Sequence, residues 1–322
     1  MSVVASLSQV AECEQSLQQW PELVASGLLA EPAIESLSLP LFTLPDVRVD
    51  MLRADLLHPL ISGNKWFKLK YNLLQAREQG CRTLLSFGGA WSNHLHAVAF
   101  AAQQVGMRSV GIVRGDELDA NSNPMLQEAQ QWGMQLEFVS RQCYREWTRD
   151  GGPAADALTW VIPEGGVNPL GVLGCMSLVP RAVYADYDQV WLALGTGCTL
   201  AGVRLSLPPD VKVCGVSVLA GDWPRQQMQQ RLQQWNWHEP ANWDVLTQYH
   251  AGGYGRVPAS LLSFVAEFGD NTGVPLDPVY TGKTMQALCD QVQRGIVSAG
   301  TRVLFIHTGG LQGARGFSSS TG

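Results

Sequence analysis

The chain has 322 residues, of which 46 % are hydrophobic and 16 % are charged, enough for one large or two modest globular domains. Its net charge of −6, without a basic cluster, disfavours nucleic acid as a partner. No secretory signal is predicted, no run reaches the roughly 18 apolar residues that a membrane span needs, and the cysteines form no C-x-x-C pair. We therefore expect a protein of the reducing cytoplasm that contacts no membrane.

Short apolar runs alternate with helical segments through most of the chain. The first 40 residues predict only helix and loop, after which Val47, Val49 and Met51 alternate with charged residues as in a strand. From there on, helices of about 10–15 residues separate the apolar runs, which is the pattern of βαβ units and a parallel sheet. The further predicted strands are 83–87, 109–113, 135–139, 159–162, 189–194, 211–218 and 302–306, and helices are predicted at 92–105 and 123–132.

Three segments do not follow this alternation. The polar stretch 141–152 ends in Arg-Asp-Gly-Gly-Pro and is the best candidate for a domain boundary. Segment 226–243 is rich in glutamine and tryptophan and predicts a helix and a packed connection without a chemical role. Residues 318–322 predict a frayed tail.

Lys65 is the first residue with a chemical signature. It lies where an irregular segment becomes a helix, and Gly63 permits a backbone conformation that is closed to other residues. Aromatic residues at positions 66, 67 and 71 would desolvate the amine, which lowers a lysine's pKa and makes it a nucleophile or a Schiff-base former. The alternative is that Lys65, Lys68 and Lys70 form the solvated side of an amphipathic helix.

A glycine-rich loop between a predicted strand and a helix predicts an anion site. Exposed N–H groups, the helix N-terminus and two hydroxyls together favour a phosphate. A dinucleotide fingerprint would need a third glycine at position 200, where this chain has Leu200, and a tight turn without a ligand is the structural alternative. The loop residues are Gly195, Thr196, Gly197, Cys198 and Thr199.

Another helix opens at Ser92, after two glycines. Ser92 is a natural N-cap, which is the structural interpretation. The functional one is that Ser92, Asn93 and the free N–H groups of the first turn hold a carboxylate. His94 and His96 lack the i, i+4 spacing of helical metal ligands and have no acidic or cysteine ligand beside them, so we predict no metal site.

Tyr254 and Tyr280 each stand in a glycine-containing loop. Buried tyrosines usually only pack and make one hydrogen bond. In a chain with a reactive lysine and a phosphate cup, we interpret them as site residues. A lysine amine, a phosphate cup and a helix start for a carboxylate fit one cofactor, pyridoxal phosphate, which binds a lysine as a Schiff base and acts on amino acids.

The motifs now resemble a known family, the fold type II (tryptophan-synthase-β-like) pyridoxal-phosphate enzymes, and within it the group of 1-aminocyclopropane-1-carboxylate deaminase and D-cysteine desulfhydrase. They occur in the order of that family from about residue 40 to residue 313. The segments that carry the resemblance are 63–65, 88–94, 163–166, 195–199, Tyr254, 280–283 and 307–310.

The resemblance implies an α/β fold with two domains, each a mostly parallel sheet flanked by helices. Residues 1–66 and 161–322 would form a large cofactor-binding domain and residues 67–160 a small one. The cofactor would lie between them in an enzyme that is a lyase or a hydrolase of amino acids, and a homodimer is expected.

The resemblance also implies roles for individual residues. Lys65 would bind the cofactor covalently, the 195–199 loop would hold its phosphate, and Asn93 would bind its ring hydroxyl. Ser92 would contact the substrate carboxylate and assist proton transfer, with Tyr254 and Tyr280 facing the substrate. Cofactor contacts would also come from Thr281 and Thr308, and substrate contacts from Asn93, His94 and Gly166.

Three departures from the cyclopropane deaminases favour the desulfhydrases. That group is expected to have a glutamate, a leucine and a glutamine where this chain has Thr281, Thr308 and His94. A threonine leaves the pyridine nitrogen closer to neutral than a carboxylate does, which suits expulsion of a good leaving group from Cβ. The segment after Lys65, however, differs from that of the desulfhydrases, so the substrate stays open between D-cysteine and the cyclopropane acid. A silent pyridoxal-phosphate-binding protein and a nicotinamide dehydrogenase are the remaining alternatives.

Overall fold

A computed structural model describes residues 6–39, 46–221 and 223–318 of the chain. Pro40, where the first predicted segment ends, and most of the predicted tail lie outside these ranges. Within them no helix combines the length and the apolar character needed to cross a membrane. The fold is α/β, as predicted, and is built on two separate sheets.

The larger sheet has six strands. β1 (Ile34–Ser36) lies at one edge and is antiparallel to its neighbour, whereas all other pairs are parallel. The order is β1-β2-β10-β7-β8-β9, so the chain leaves this sheet after β2 and returns for β7. The remaining strands are β2 (Arg48–Leu52), β7 (Gln189–Leu194), β8 (Lys212–Ser217), β9 (Trp243–Leu246) and β10 (Arg302–Ile306).

The smaller sheet has four parallel strands in the order β5-β4-β3-β6. Its centre is apolar on both faces, as is typical of parallel strands covered by helices. Its strands are β3 (Thr83–Gly88), β4 (Arg108–Arg114), β5 (Met134–Val139) and β6 (Thr159–Ile162).

Twelve helices of the described ranges cover these sheets. Of the N-terminal pair, α1 packs against α3, which carries Lys65, and α2 packs against α4. They are α1 (Leu7–Gln18), α2 (Pro21–Ser26), α3 (Asn64–Glu78), α4 (Asn93–Gln104), α5 (Pro124–Gln131), α6 (Arg141–Asp150), α7 (Pro169–Cys175), α8 (Cys198–Ser206), α9 (Trp223–Gln234), α10 (Ala259–Thr272), α11 (Thr281–Gln293) and α12 (Leu311–Ser318).

The polar stretch 141–152 is not a boundary between the sheets. It forms α6, which Ser140 caps by accepting a hydrogen bond from the N–H of Cys143, and which connects β5 to β6 of the same sheet. The two boundaries drawn from the resemblance fall inside elements, the first within α3 and the second within β6. The division into a large and a small domain stays a prediction, and the two sheets are its physical basis.

The loops at the carboxyl ends of β3, β6, β7 and β10 contain the predicted site motifs. In open parallel sheets this edge is where ligands bind, because the helix N-termini and the loops converge there. Between the sheets α3 packs closely against α7. A Cβ on Gly174 would lie 1.9 Å from the Phe67 carbonyl oxygen, so this contact requires glycine.

Candidate active site

Lys65 lies in the first turn of α3, next to the phosphate loop. Its Nζ donates a hydrogen bond to Asn64 Oδ1 at 2.7 Å, and Asn64 Nδ2 donates to Thr199 Oγ1 at 2.8 Å. Burial, followed by the positive charge of Lys68, lowers the pKa of Lys65 to about 7. The amine therefore has a large neutral fraction at physiological pH, as a nucleophile requires.

The loop from Gly195 to Thr199 joins β7 to α8. Gly197 has φ +85°, a conformation that favours glycine, and α8 starts at the next residue. Cys198 Sγ lies 3.5 Å from the Gly166 carbonyl, which joins this loop to the loop after β6. The free N–H groups at the start of α8 give the cup a positive potential.

Lys68, predicted only as part of a helix surface, lies beside the predicted phosphate loop. It is 5 % exposed, and its Nζ lies 3.5 Å from Thr196 Oγ1 in the phosphate loop. Lys70 is also buried and pairs with Glu14 of α1, so the interpretation of these lysines as a solvated face is wrong. The spacing of Lys65 and Lys68 was the available signal, since residues i and i+3 share one face of a helix.

Gly166 brings the loop after β6 over α3. A Cβ at this position would lie 3.1 Å from Lys68 Cβ and 3.3 Å from His94 Cε1, and Gly166 has φ +70°. A Cβ on Gly165 would lie similarly close to the methyl group of Thr196. The predicted substrate-binding glycine is therefore wedged between the phosphate cup and the start of α4.

Ser92 caps α4, as the structural interpretation predicted. Its Oγ accepts a hydrogen bond from the N–H of Leu95 at 3.2 Å, and a Cβ on Gly88 would lie 2.4 Å from that oxygen. The Ser92 proton stays available as a donor. Asn93 Oδ1 accepts a hydrogen bond from the N–H of Gly313 at 2.9 Å. Both side chains thus lie at the opening of α4, where the first N–H groups have no helical partner.

The His94 side chain is anchored in the smaller sheet. Its Nε2 lies 2.9 Å from Ser86 Oγ, and Ser86 in turn donates to the carbonyl of Ile162. Because Ser86 uses its proton there, Nε2 donates, and Nδ1 has no hydrogen-bond partner among the residues that the structure describes. Burial and the two lysines lower the pKa of His94 to about 3, so the ring is neutral. Substrate contact from His94 would come through its backbone N–H.

Tyr254 and Tyr280 meet at the other side of Lys65. Their hydroxyl oxygens are 3.2 Å apart, and Lys65 Nζ lies 5.9 Å from the centre of the Tyr280 ring. Burial raises the pKa of Tyr280, so its phenol stays protonated. Tyr254 is 56 % exposed, which places it at the solvent side of the site.

Lys283, which the sequence pattern does not identify by itself, connects the loops of the two tyrosines. It is fully buried on α11, and its Nζ donates to the carbonyls of His250 and Gly253 at 2.8 and 2.9 Å. Gly253 directly precedes Tyr254, and Tyr280 directly precedes α11. Burial lowers the pKa of Lys283 to about 8, and Asp277 opposes the shift.

The hydroxyl groups of the two threonines predicted to bind the cofactor differ in their hydrogen bonding. The Thr281 hydroxyl accepts from the Asp277 N–H at 2.8 Å and donates to the Asp277 carbonyl at 3.3 Å. Among the residues that the structure describes, none hydrogen-bonds to the Thr308 hydroxyl. Asp277 itself was missed; burial raises the pKa of its carboxyl group to about 7.

These residues fit a phosphate-bearing aldehyde. The structure brings a partly neutral lysine, an anion cup with a buried lysine, a capped helix start and two phenols to one edge of the sheets. A cavity of about 770 Å³ lies elsewhere, between α10 and α11, and none of the predicted site residues lines it. The convergent polar groups, rather than the cavity volume, therefore identify the site.

Comparisons with known proteins agree with this chemistry. A sequence model of the family described as pyridoxal-phosphate dependent enzyme matches residues 40–309. The chain is 30 % identical over 284 residues to the mitochondrial bifunctional D-cysteine desulfhydrase/1-aminocyclopropane-1-carboxylate deaminase of Arabidopsis thaliana, covering 79 % of this chain and 70 % of that protein. It is 29 % identical over 283 residues to the D-cysteine desulfhydrase of Salmonella typhi, covering 80 % and 85 %.

Further similarities concern the deaminase side of the group. A protein of Pyrococcus abyssi, provisionally named a 1-aminocyclopropane-1-carboxylate deaminase, is 30 % identical over 289 residues, which cover 83 % of this chain and 86 % of that one. The crystal structure of an ACC deaminase homologue superposes with a TM-score of 0.72 at 26 % identity, covering 91 % and 93 % of the two chains. These names fit a lyase and do not support the expected alternative of a hydrolase.

Proposed function

Because the chain belongs to the pyridoxal-phosphate-dependent enzymes, we propose that it catalyses α,β-elimination on a small amino acid. D-Cysteine is the proposed substrate, and pyruvate, ammonia and sulfide are the products. The observation that carries this proposal is Lys65, an amine with a pKa of about 7 held between a phosphate cup and a pair of phenols.

Pyridoxal phosphate, when bound, supplies the electron sink that makes a Cα proton removable. Lys65 would hold it covalently until the substrate amine takes its place, and the freed Lys65 amine, neutral near pH 7, would then take or return that proton. The cup from Gly195 to Thr199 would bind the phosphate together with Lys68, while Asn93 would bind the ring hydroxyl. Ser92 and the N–H groups at the start of α4 hold the substrate carboxylate.

The tyrosine pair favours a leaving group that accepts hydrogen bonds. Tyr280 stays protonated because burial raises the pKa of its phenol. Its hydroxyl donates to the Tyr254 oxygen, and rotation of the same proton toward the substrate would let it donate to a departing sulfur atom. Tyr254, 3.2 Å away, is the partner that can relay a proton between this phenol and solvent. No carboxylate stands at position 281, and this supports elimination over opening of a cyclopropane ring.

The second candidate is 1-aminocyclopropane-1-carboxylate deaminase. The names of the Arabidopsis and Pyrococcus relatives favour it. The buried carboxyl group of Asp277 favours it as well, because its Oδ1 accepts hydrogen bonds from the N–H groups of Val279 and Tyr280, just before Thr281, and its raised pKa of about 7 lets it exchange a proton near neutral pH. Both candidates share the cofactor and Lys65.

One assay separates them. The purified protein, reconstituted with pyridoxal phosphate, is given D-cysteine, L-cysteine or the cyclopropane acid, and the 2-oxo acid released is measured together with sulfide. We expect pyruvate and sulfide in equal amounts from D-cysteine. Turnover of the cyclopropane acid without any on D-cysteine would overturn the proposed substrate, and turnover of neither would favour a silent cofactor-binding protein.

We also propose that the protein is a homodimer of the cytoplasm. The family resemblance supports the dimer, and the absence of a C-x-x-C pair supports a reducing compartment. Sedimentation of the purified holoprotein is expected to give twice the mass of 35.1 kDa. A monomer with full activity would contradict the dimer.

A further inference from the structure

Helix α12 joins the two sheets. It follows β10 of the six-stranded sheet, but its Gly313 backbone contacts α4 and its Arg315 side chain contacts α5, and these two helices flank the four-stranded sheet. Arg315 forms a two-pronged ion pair with Glu128, both nitrogen–oxygen distances being 2.8 Å. Glu128 also lies 2.6 Å from His96 Nε2. The Arg315 guanidinium, followed by His96, lowers the pKa of Glu128 to about 2, so the pair is charged throughout the physiological range.

The same helix touches the residues at the start of α4. The Gly313 N–H donates to Asn93 Oδ1, and a Cβ on Gly313 would lie 2.7 Å from Asn93 Nδ2. A Cβ on Gly316 would lie 3.1 Å from the Trp91 ring. Both glycines therefore lie against side chains at the start of α4, and a methyl group on Gly313 would have to displace the Asn93 amide.

The contact with Gly313 decides which end of the Asn93 amide is available. A carboxamide has one acceptor oxygen and one NH₂ donor group. Because a backbone N–H already occupies the oxygen, the NH₂ group is the end left to donate. An oxygen anion is the ligand that such a donor binds, and the ring hydroxyl of the cofactor supplies one when ionised.

We infer that α12 is a positioning element of the active site, in which Gly313 orients the Asn93 amide toward the cofactor and the Arg315–Glu128 pair holds the helix in place. The inference rests on the proposed function, which assigns the ring hydroxyl to Asn93. A helix of eight residues is too short to be stable by itself, so its place depends on tertiary contacts. The two-pronged pair is its best-defined contact with the smaller sheet, and Gln312 adds a hydrogen bond to the Pro59 carbonyl.

The test uses the full-length protein and pyridoxal phosphate titrated into the cofactor-free form. Arg315→Gln and Glu128→Gln break the pair, and Gly313→Ala displaces the Asn93 amide directly. Arg294→Gln is the matched control, because it breaks the exposed pair of Arg294 with Asp290, on α11. The readouts are the dissociation constant and the visible absorption spectrum of the bound cofactor, whose bands report whether the ring hydroxyl is ionised.

We expect about tenfold weaker binding in Arg315→Gln and in Glu128→Gln, with a transfer of absorbance to the shorter-wavelength band. The double variant should bind no more weakly than either single one, since the two residues act as one pair. Gly313→Ala should show the same spectral change, and Arg294→Gln should match the wild type.

Wild-type affinity and an unchanged spectrum in Arg315→Gln and Gly313→Ala would overturn the inference. Weaker binding with an unchanged spectrum would also overturn it, because α12 would then only support the fold. If Arg315→Gln does not fold, as judged by circular dichroism, Gly313→Ala decides alone through the spectrum. Failure of the wild type to bind pyridoxal phosphate is a separate result and would refute the proposed function itself.

Discussion

Gly63 and Thr308 are in direct backbone contact. Gly63 has φ +73°, and a Cβ there would lie 1.9 Å from the Thr308 carbonyl oxygen. The N–H of Asn64 donates to the same oxygen at 3.1 Å. The loop after β10 thus fixes the start of α3, and with it the distance of Lys65 from the other site residues.

Replacing Gly63 by alanine should therefore damage both stability and activity. The methyl group can be accommodated only if the Thr308 carbonyl moves, so we expect a loss of about 4 kcal/mol in the free energy of unfolding and at least a hundredfold lower kcat/KM. Gly80→Ala is the matched control, since Gly80 has φ +71° but no atom within 4 Å of a Cβ. It should cost only about 1–2 kcal/mol and leave kcat/KM unchanged. Equal effects of the two variants in urea unfolding would show that the contact is unimportant.

Attachment of the cofactor should depend on pH through Lys65. Only the neutral amine attacks an aldehyde, and burial lowers the pKa of Lys65 to about 7. In the cofactor-free protein the rate of attachment should rise as the pH increases from 6 to 8, with its midpoint near 7. In Lys68→Met the midpoint should move upward, because the charge of Lys68 also lowers this pKa. A wild-type midpoint near 10, measured by stopped-flow absorbance, would contradict the burial of the amine.

Lys68 should act on the phosphate of the cofactor. Its Nζ lies beside Thr196 in the cup. Lys68→Met should therefore weaken the binding of pyridoxal phosphate by about tenfold or more, but leave the affinity for pyridoxal, which has no phosphate, little changed. Lys212→Met is a suitable control, because Lys212 pairs with Asp244 at the surface. If fluorescence titrations showed an equal loss of affinity for pyridoxal phosphate and for pyridoxal, Lys68 would not contact the phosphate.

Lys283 should act through Tyr254. Lys283→Met removes both hydrogen bonds to the loop that carries Tyr254, so kcat should fall while the affinity for pyridoxal phosphate changes little. The double variant with Tyr254→Phe should be no slower than Tyr254→Phe alone, because both changes disable the same group. Additive losses in kcat would show that Lys283 acts independently of this tyrosine.

The sequence predicted the elements whose signals are local. β3, β7 and β10 are apolar runs, with glycine directly after β7, at the end of β3 and three residues after β10, and the structure confirms them. β9 has no sequence signal, because a four-residue edge strand has too few residues for a periodic pattern, and only its first residue, Trp243, lies in the segment predicted as a packed connection. α6 has the polarity of a linker, since most of its side chains face solvent and only Tyr144 is buried, and this is why the sequence pattern predicts a boundary there.

The site residues that the sequence did not reveal depend on distant partners. Lys68 is buried against Thr196, and Lys70 against Glu14 of α1. The positions of these partners follow from the packing of elements far apart in the chain. The same holds for Asn93 and Gly313, where the motif identified the asparagine but not the helix that orients it. The loop predicted to bind phosphate has a local signal, because all its candidate donors lie within five consecutive residues.

The visible spectrum of the protein with pyridoxal phosphate, before and after D-cysteine is added, tests the central claim most directly. A band of bound cofactor should be present in the wild type and absent in Lys65→Ala, and D-cysteine should change it while pyruvate and sulfide appear. A band that D-cysteine leaves unchanged, without pyruvate, would contradict the proposed reaction. A protein without any such band would contradict the role of Lys65 itself.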